Sequence, residues 1–206
     1  MILVLGQQMI HHFRHHDNSD GLCSHVETSQ HLAMKTIISK MFESEGYITE
    51  PEVSVGPIKD KNIIDVLIKR GHRQIAIECQ YSPISDYDVI FRTRSLNRKG
   101  YPVLWLLDSG SYSAVSGQRR VKAVEKFLHR INYGKVFYLS RFTKRIIAGK
   151  FGKVKRHVDF NDVSYTRTLK STKNIKVFAV DRLLFTIQWV DDILGEGKFF
   201  IARLMV

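Results

Sequence analysis

The chain has 206 residues, 44% of them hydrophobic and 25% charged, which excludes wholesale disorder and suits a folded protein. Lys and Arg outnumber Asp and Glu by 32 to 20, a formal charge of +12, so the expected partner is a polyanion, either nucleic acid or an acidic membrane surface. No apolar run approaches the ~18–20 residues that span a bilayer, the short apolar start lacks the basic leader of a secretory signal, and Cys23 with Cys79 cannot make a disulfide framework. The expectation is a reducing, cytoplasmic compartment and no membrane partner.

In chain order, residues 1–25 form a histidine-rich segment carrying five of the nine histidines. His12, His15, Cys23 and His25 are the candidate zinc ligands there, but their spacing matches no zinc finger and structural zinc is not expected. A helix starts near Thr28, because Met34, Ile37, Ile38, Met41 and Phe42 recur at helical spacing before Gly46 stops it. Three strands are predicted over 47–55, 62–69 and 74–80. Ser85 with Asp88 resembles a capping box opening a helix to about Arg98, and residues 101–107 read as a buried strand. This order gives an α/β core over 26–110, a mixed sheet with a helix on each side.

Residues 111–206 read as a basic accessory region: a loop over 110–117, a helix over 119–131, strand pieces at 135–139, 145–148 and 175–180, and a helix or strand over 183–194. Between residues 117 and 176 there are 17 Lys/Arg against three acids, Glu125, Asp159 and Asp162. Aromatics are interleaved with that charge, and Arg119, Arg120, Lys122, Lys144, Arg145, Lys153, Lys155 and Arg156 are the expected nucleic-acid contacts. A membrane surface is the weaker alternative, since no basic amphipathic helix stands out beyond 119–131.

The chemistry concentrates between the second and third strands. If Gly71-His72 is a two-residue type II′ turn, Arg70 pairs with Arg73, Asp65 falls opposite Glu78, and Ile63 opposite Gln80. Like charges opposite one another on a sheet are destabilising, by roughly 4 kcal/mol at ~4 Å and an effective dielectric of ~20. The fold can protonate one acid, splay the pair into water beside Lys69, Arg70 or Arg73, or hold a cation between the two. Oxygen donors from Asp65, Glu78 and the Cys79 carbonyl favour Mg²⁺ or Mn²⁺.

Several motifs then align with one family. Asp65, Glu78-Cys79-Gln80-Tyr81-Ser82-Pro83-Ile84-Ser85, Arg92-Thr93, Gly100 and Leu104-Trp105-Leu106-Leu107 resemble the competence-protein CoiA-like family. So do His12-Phe13-Arg14-His15 and the helix bearing Glu27-Thr28, His31 and Lys35. The resemblance implies a PD-(D/E)XK nuclease-like core with Asp65 and Glu78 as metal ligands. It puts Gln80 where that superfamily often has lysine, positioned to orient the attacking water. Lys35 is then the candidate cation from the first helix, His31 or Glu27 the candidate for completing the metal shell or moving a proton, and Arg92 a phosphate contact. The implied function is a metal-dependent DNA nuclease or DNA-processing factor in recombination, competence-type DNA handling or defence, acting on single-stranded, duplex or branched DNA. A homo-oligomer or a recombination or defence protein are possible partners. Gln80 keeps a second reading open, a non-catalytic DNA-binding accessory on a nuclease scaffold.

Overall fold

The computed structural model describes residues 2–4, 12–14, 27–160, 163–191 and 198–205. β1 (Ile2–Val4) and β2 (His12–Arg14) form a small antiparallel ribbon, and His12 contributes its backbone to it. His15, Cys23 and His25 lie outside the described residues, and with them the zinc reading.

α1 (Ser29–Ser44) begins where the Thr28 hydroxyl accepts the His31 N–H at 3.2 Å, a cap worth about 1 kcal/mol. Met34, Ile38 and Phe42 fall every four residues on one face and are fully buried. They pack on Val66, Ile68, Ile75 and Ile77 of the strands that follow. β3 (Ile48–Val55), β4 (Asn62–Arg70) and β5 (Arg73–Gln80) make an antiparallel meander. α2 (Asp86–Arg98) is capped by Ser85, which accepts the Asp88 N–H at 3.0 Å, and leads to β6 (Val103–Asp108), parallel to β5. The predicted order of helix, three strands, helix, strand is therefore present, and the sheet is mixed.

The remaining strands extend this same sheet. β7 (Gly117–Arg120), α3 (Ala123–Ile131), β8 (Val136–Ser140), β9 (Arg145–Phe160), β10 (Val163–Ala179), β11 (Phe185–Asp191) and β12 (Lys198–Leu204) follow in the chain. Across the sheet the order is β3-β4-β5-β6-β8-β9-β10-β7, with β12 joining β6 at Ile201↔Val103 and carrying β11 outside it. α1 covers one face; α2 and α3 cover the other, where Val89, Leu96, Val124, Phe127 and Leu128 pack on Leu67, Val103 and Trp105.

In the second half two expectations are corrected, one left open is resolved, and one strand is added. Residues 117–120 are an edge strand rather than loop and helix start, because their backbone pairs with Thr172–Ile175 of β10, so α3 begins only at Ala123. The strand pieces at 145–148 and 175–180 are the inner ends of strands of 16 and 17 residues. Residues 185–191 are strand, since β12 offers them an antiparallel partner along their whole length. β12 itself was not anticipated.

Candidate metal and nucleic-acid site

The β4–β5 hairpin has the register deduced from its turn. Gly71 adopts φ +58 while His72 does not enter the left-handed region, as a type II′ turn requires. Arg70 faces Arg73, and the pairing runs to Val66↔Ile77. The next step would put Asp65 against Glu78. There the regular ladder stops, because the Asp65 carboxylate itself accepts the Cys79 N–H at 2.8 Å.

Glu78 is fully buried and Asp65 nearly so, at 6% exposure. Arg92, nearly two turns into α2, donates to Glu78 Oε2, and its guanidinium lies 5.3 Å from the Trp105 ring centroid. Glu78 Oε1 is buried and, among the described residues, has no hydrogen-bond partner. Burial pushes the Glu78 carboxyl well above its ordinary range, the Asp65 charge adds to the rise, and Arg92 offsets part of it. The Cys79 thiol is likewise pushed up by burial and then by Asp65 and Glu78, so its side chain behaves as a small apolar group.

α1 supplies a second layer. His31, on the first turn, places Nε2 at 3.3 Å from Asp65 Oδ2 and Nδ1 at 3.1 Å from Glu27 Oε1. Nε2 makes no well-aligned hydrogen bond, so its contact with Asp65 is chiefly electrostatic. Burial alone would depress the imidazole pKa, but Asp65 and Glu27 together carry it up to about 9, so His31 is a cation at neutral pH. Lys35, one turn on and 4% exposed, binds Glu27 and, at 2.6 Å, Glu52. Burial opposes its charge, and the two carboxylates outweigh burial to raise its pKa. Glu27 is held down at about 2: burial acts upward, and His31 and Lys35 overcome it. Glu27 is therefore committed to two cations.

Glu52 is the site residue that the sequence reading missed. β3 and β4 pair at Pro51↔Val66 and Val53↔Ile64, leaving Glu52 in the gap beside Asp65. Its φ of +55 is unusual for a non-glycine residue, and such conformations persist where the surroundings impose them. Three acids thus cross three adjacent strands: Glu52, Asp65 and Glu78. Only the Asp65–Glu78 step was legible, because a tight turn sets that register, whereas β3 and β4 are joined by a longer segment containing a 3-10 turn at Ile58–Asp60.

Gln80 is 9% exposed, and its amide nitrogen donates to the Ser82 carbonyl at 2.7 Å and to the Ser82 hydroxyl at 3.2 Å. Among the expected nucleic-acid contacts, Arg120, Lys122, Lys144, Arg145, Lys153 and Lys155 are exposed. Lys122 reaches the Ser111 carbonyl at 3.1 Å and sits over the Tyr112 ring. Arg119 is a correction: both of its terminal nitrogens bind the buried Glu125, at 2.6 and 3.1 Å, so its charge is spent inside the fold. The Arg156 side chain lies outside the described residues.

Among the described residues, no three His, Cys, Asp or Glu side chains converge into a ready-made metal cage. The donors do suit a hard cation that keeps water and substrate oxygens, which is how Mg²⁺ is commonly held, through one or two carboxylates. Glu78 has one oxygen with no partner among the described residues and one on the Arg92 guanidinium, and Asp65 stands beside it, so these two side chains could hold such a cation.

An antiparallel three-strand meander, a parallel fourth strand and a helix on each face, with paired acids on the central hairpin, define a nuclease-like α/β fold. The chain belongs to the family described as competence protein CoiA, nuclease-like domain, whose model matches residues 27–183. No curated protein matches it. It is similar at 17% identity to a solved crystal structure, that of a protein of unknown function, AF1548, over 38% of this chain and 47% of that one, with a TM-score of 0.33; it thus spans less than half of that protein's length. No described helix is long and apolar enough to cross a membrane.

Proposed function

We propose that this protein hydrolyses phosphodiester bonds in DNA with a divalent cation held by Asp65 and Glu78. The observation that carries the reading is Glu78: a fully buried carboxylate beside a second acid, with one oxygen on Arg92 and the other unpartnered. Burying such a pair for structure alone is unfavourable.

Bound Mg²⁺ or Mn²⁺ would lower the pKa of a water molecule and neutralise charge on the phosphate. Asp65 and Glu78 would hold the cation, with the Cys79 carbonyl as a further oxygen donor. Asp65 is itself oriented by the Cys79 N–H. Arg92 releases Glu78 and turns its guanidinium to a phosphate oxygen, where a planar fork binds well. His31 and Lys35 line the α1 side with positive charge, and Glu27 and Glu52 fix their positions. Gln80 orients the attacking water once its amide leaves Ser82. Roles in recombination, competence-type DNA handling or defence all use such a reaction.

The second reading, a non-catalytic DNA-binding accessory, draws support from Gln80, whose nitrogen is engaged by Ser82 and which cannot supply the charge of a lysine. One experiment separates the two: labelled single-stranded, duplex and branched DNA incubated with Mg²⁺ or Mn²⁺, for the parent protein, Asp65→Asn and Glu78→Gln. Cleavage by the parent alone supports hydrolysis. Binding without cleavage in all three supports the accessory.

A further inference from the structure

One aromatic of the basic second half stays out of the core. Phe127, Phe137, Tyr138 and Phe199 are buried, whereas Phe142 is 97% exposed. It stands in the turn of residues 141–144 that joins β8 to β9 beyond the pair Ser140↔Arg145. The turn is ordered by its own backbone, since the Thr143 N–H donates to the Ser140 hydroxyl at 3.2 Å. Lys144 takes a φ of +51 there, a conformation that glycine or asparagine adopts more easily. From Ser140 to Arg145 the chain has three cations, no acid and a single apolar side chain. Lys144 and Arg145 are exposed.

This turn lies on the same rim as the acid pair. β5, β6 and β8 run parallel, so their ends at Gln80, Asp108 and Ser140 open at one end of the sheet. Two strand spacings of ~4.8 Å put the turn roughly 10 Å across from the end of β5. Arg141 bridges the gap. Its Nε donates to the buried Asp108 at 2.6 Å, and its guanidinium lies 5.1 Å from the ring centroid of Tyr81, which follows Gln80 in the chain. Asp108 also accepts the Ser111 N–H at 2.8 Å, so the root of the turn is anchored while its tip is left to solvent.

A bare aromatic ring among cations fits a polyanion that carries flat apolar faces. Single-stranded nucleic acid is bound in this way, its bases stacked on aromatic rings and its phosphates held by Lys and Arg. A paired base must first be unstacked, at a cost, before a side chain reaches its face. An unpaired base offers that face directly. A membrane surface takes up segments with a broad apolar face, and Phe142 is the only apolar side chain of the turn. We propose that the β8–β9 turn is a single-strand contact, with an unpaired base stacked on Phe142 and the flanking phosphates held by Lys144 and Arg145. This inference deepens the nuclease reading by giving its substrate an unpaired stretch near the scissile bond, and it rests on that reading in taking nucleic acid as the partner.

The test is equilibrium binding of the full chain in EDTA, which removes hydrolysis from the measurement. The probes are a short labelled single strand of DNA, the blunt duplex of the same sequence, and phosphatidylserine vesicles. F142A should keep the parental melting midpoint, because the ring it removes is in solvent, and should lose about tenfold in single-strand affinity, the scale of one stacked base. Its duplex affinity should change much less. F142W should bind the single strand as the parent does, and F142L as weakly as F142A, because leucine has no π face. F142A removes no charge and should keep the parental salt dependence. K144Q/R145Q should flatten the slope of log K against log salt by roughly 1.4, about 0.7 for each phosphate contact on a single strand. Parental single-strand affinity in F142A, equal binding by F142L and F142W, an equal loss on the duplex, a loss on vesicles in place of DNA, or an unmoved salt slope in K144Q/R145Q would each overturn the stacking turn. Because the readout is metal-free, such a failure leaves the Asp65–Glu78 reading standing. Absence of cleavage by the parent would instead leave the turn standing as a contact of the non-catalytic accessory.

Discussion

Glu125 and Glu78 are both fully buried, yet they are satisfied in opposite ways. Glu125 Oε1 accepts from Arg119 at 2.6 Å and from the Tyr138 hydroxyl at 2.7 Å; Oε2 accepts from Arg119 at 3.1 Å and from the Lys122 N–H at 2.8 Å. Every lone-pair direction has a donor, and the side chain joins β7, α3 and β8 into one unit. Among the described residues Glu78 has a guanidinium on one oxygen, no well-formed hydrogen bond on the other and an acid beside it. One buried carboxylate collects donors; the other is left short of them, as the proposed cation site would need.

The contrast breaks first on stability. Glu125→Ala takes the carboxylate from the half-buried Arg119 and the acceptor from the buried Tyr138 hydroxyl, and should cost about 3–5 kcal/mol, read from chemical denaturation. Glu78→Gln removes a repulsion with Asp65, so its midpoint should stay level or rise. A comparable loss in both variants would erase the distinction drawn here.

The next effect is on turnover. Asp65→Asn and Glu78→Gln should each lower metal-dependent cleavage by more than about a hundredfold, since even indirect supports of metal ligands cost 10–100-fold. Arg119→Gln, once corrected for its stability, should cleave at the parental rate. Arg92→Gln sharpens the comparison further. Without its competing guanidinium, Glu78 should bind Mn²⁺ several-fold more tightly in calorimetry, while cleavage falls for want of a phosphate contact.

The smallest effect is on pH. His31 has a folded pKa of about 9 against an ordinary value of 6.5, and Glu78 is also raised. In both cases the folded protein holds a proton that the unfolded chain has released, so stability falls as pH rises. For His31 the contribution is complete below pH 6.5 and is lost as pH passes 9. Thermal melts of the metal-free protein should therefore drop between pH 6.5 and 9, and His31→Gln should flatten that drop. Glu27 acts in the other direction: its contribution is present above about pH 4.5 and is lost as pH falls toward 2.

These two glutamates also mark the limits of reading a sequence. Glu78 was legible because Gly71-His72 fits a tight turn, and a tight turn dictates which residues face each other across the hairpin. Glu52 was not, since no turn rule sets the register across the segment that joins β3 to β4. Arg119 looked like one more surface cation in a basic stretch, and nothing local announces that Glu125, six residues on, is buried. β12 is short, and only its partners β6 and β11 make it a strand.

All six residues of β6 are buried, and the strand is bordered by β5 along one side and by β8 and β12 on the other. A fragment ending near residue 110 would keep the first neighbour and lose the other two. It would present a bare edge of Val103, Leu104, Trp105, Leu106 and Leu107, a template for chain-to-chain pairing. Such a truncation should therefore come out of expression as insoluble aggregate, however complete its complement of acidic ligands.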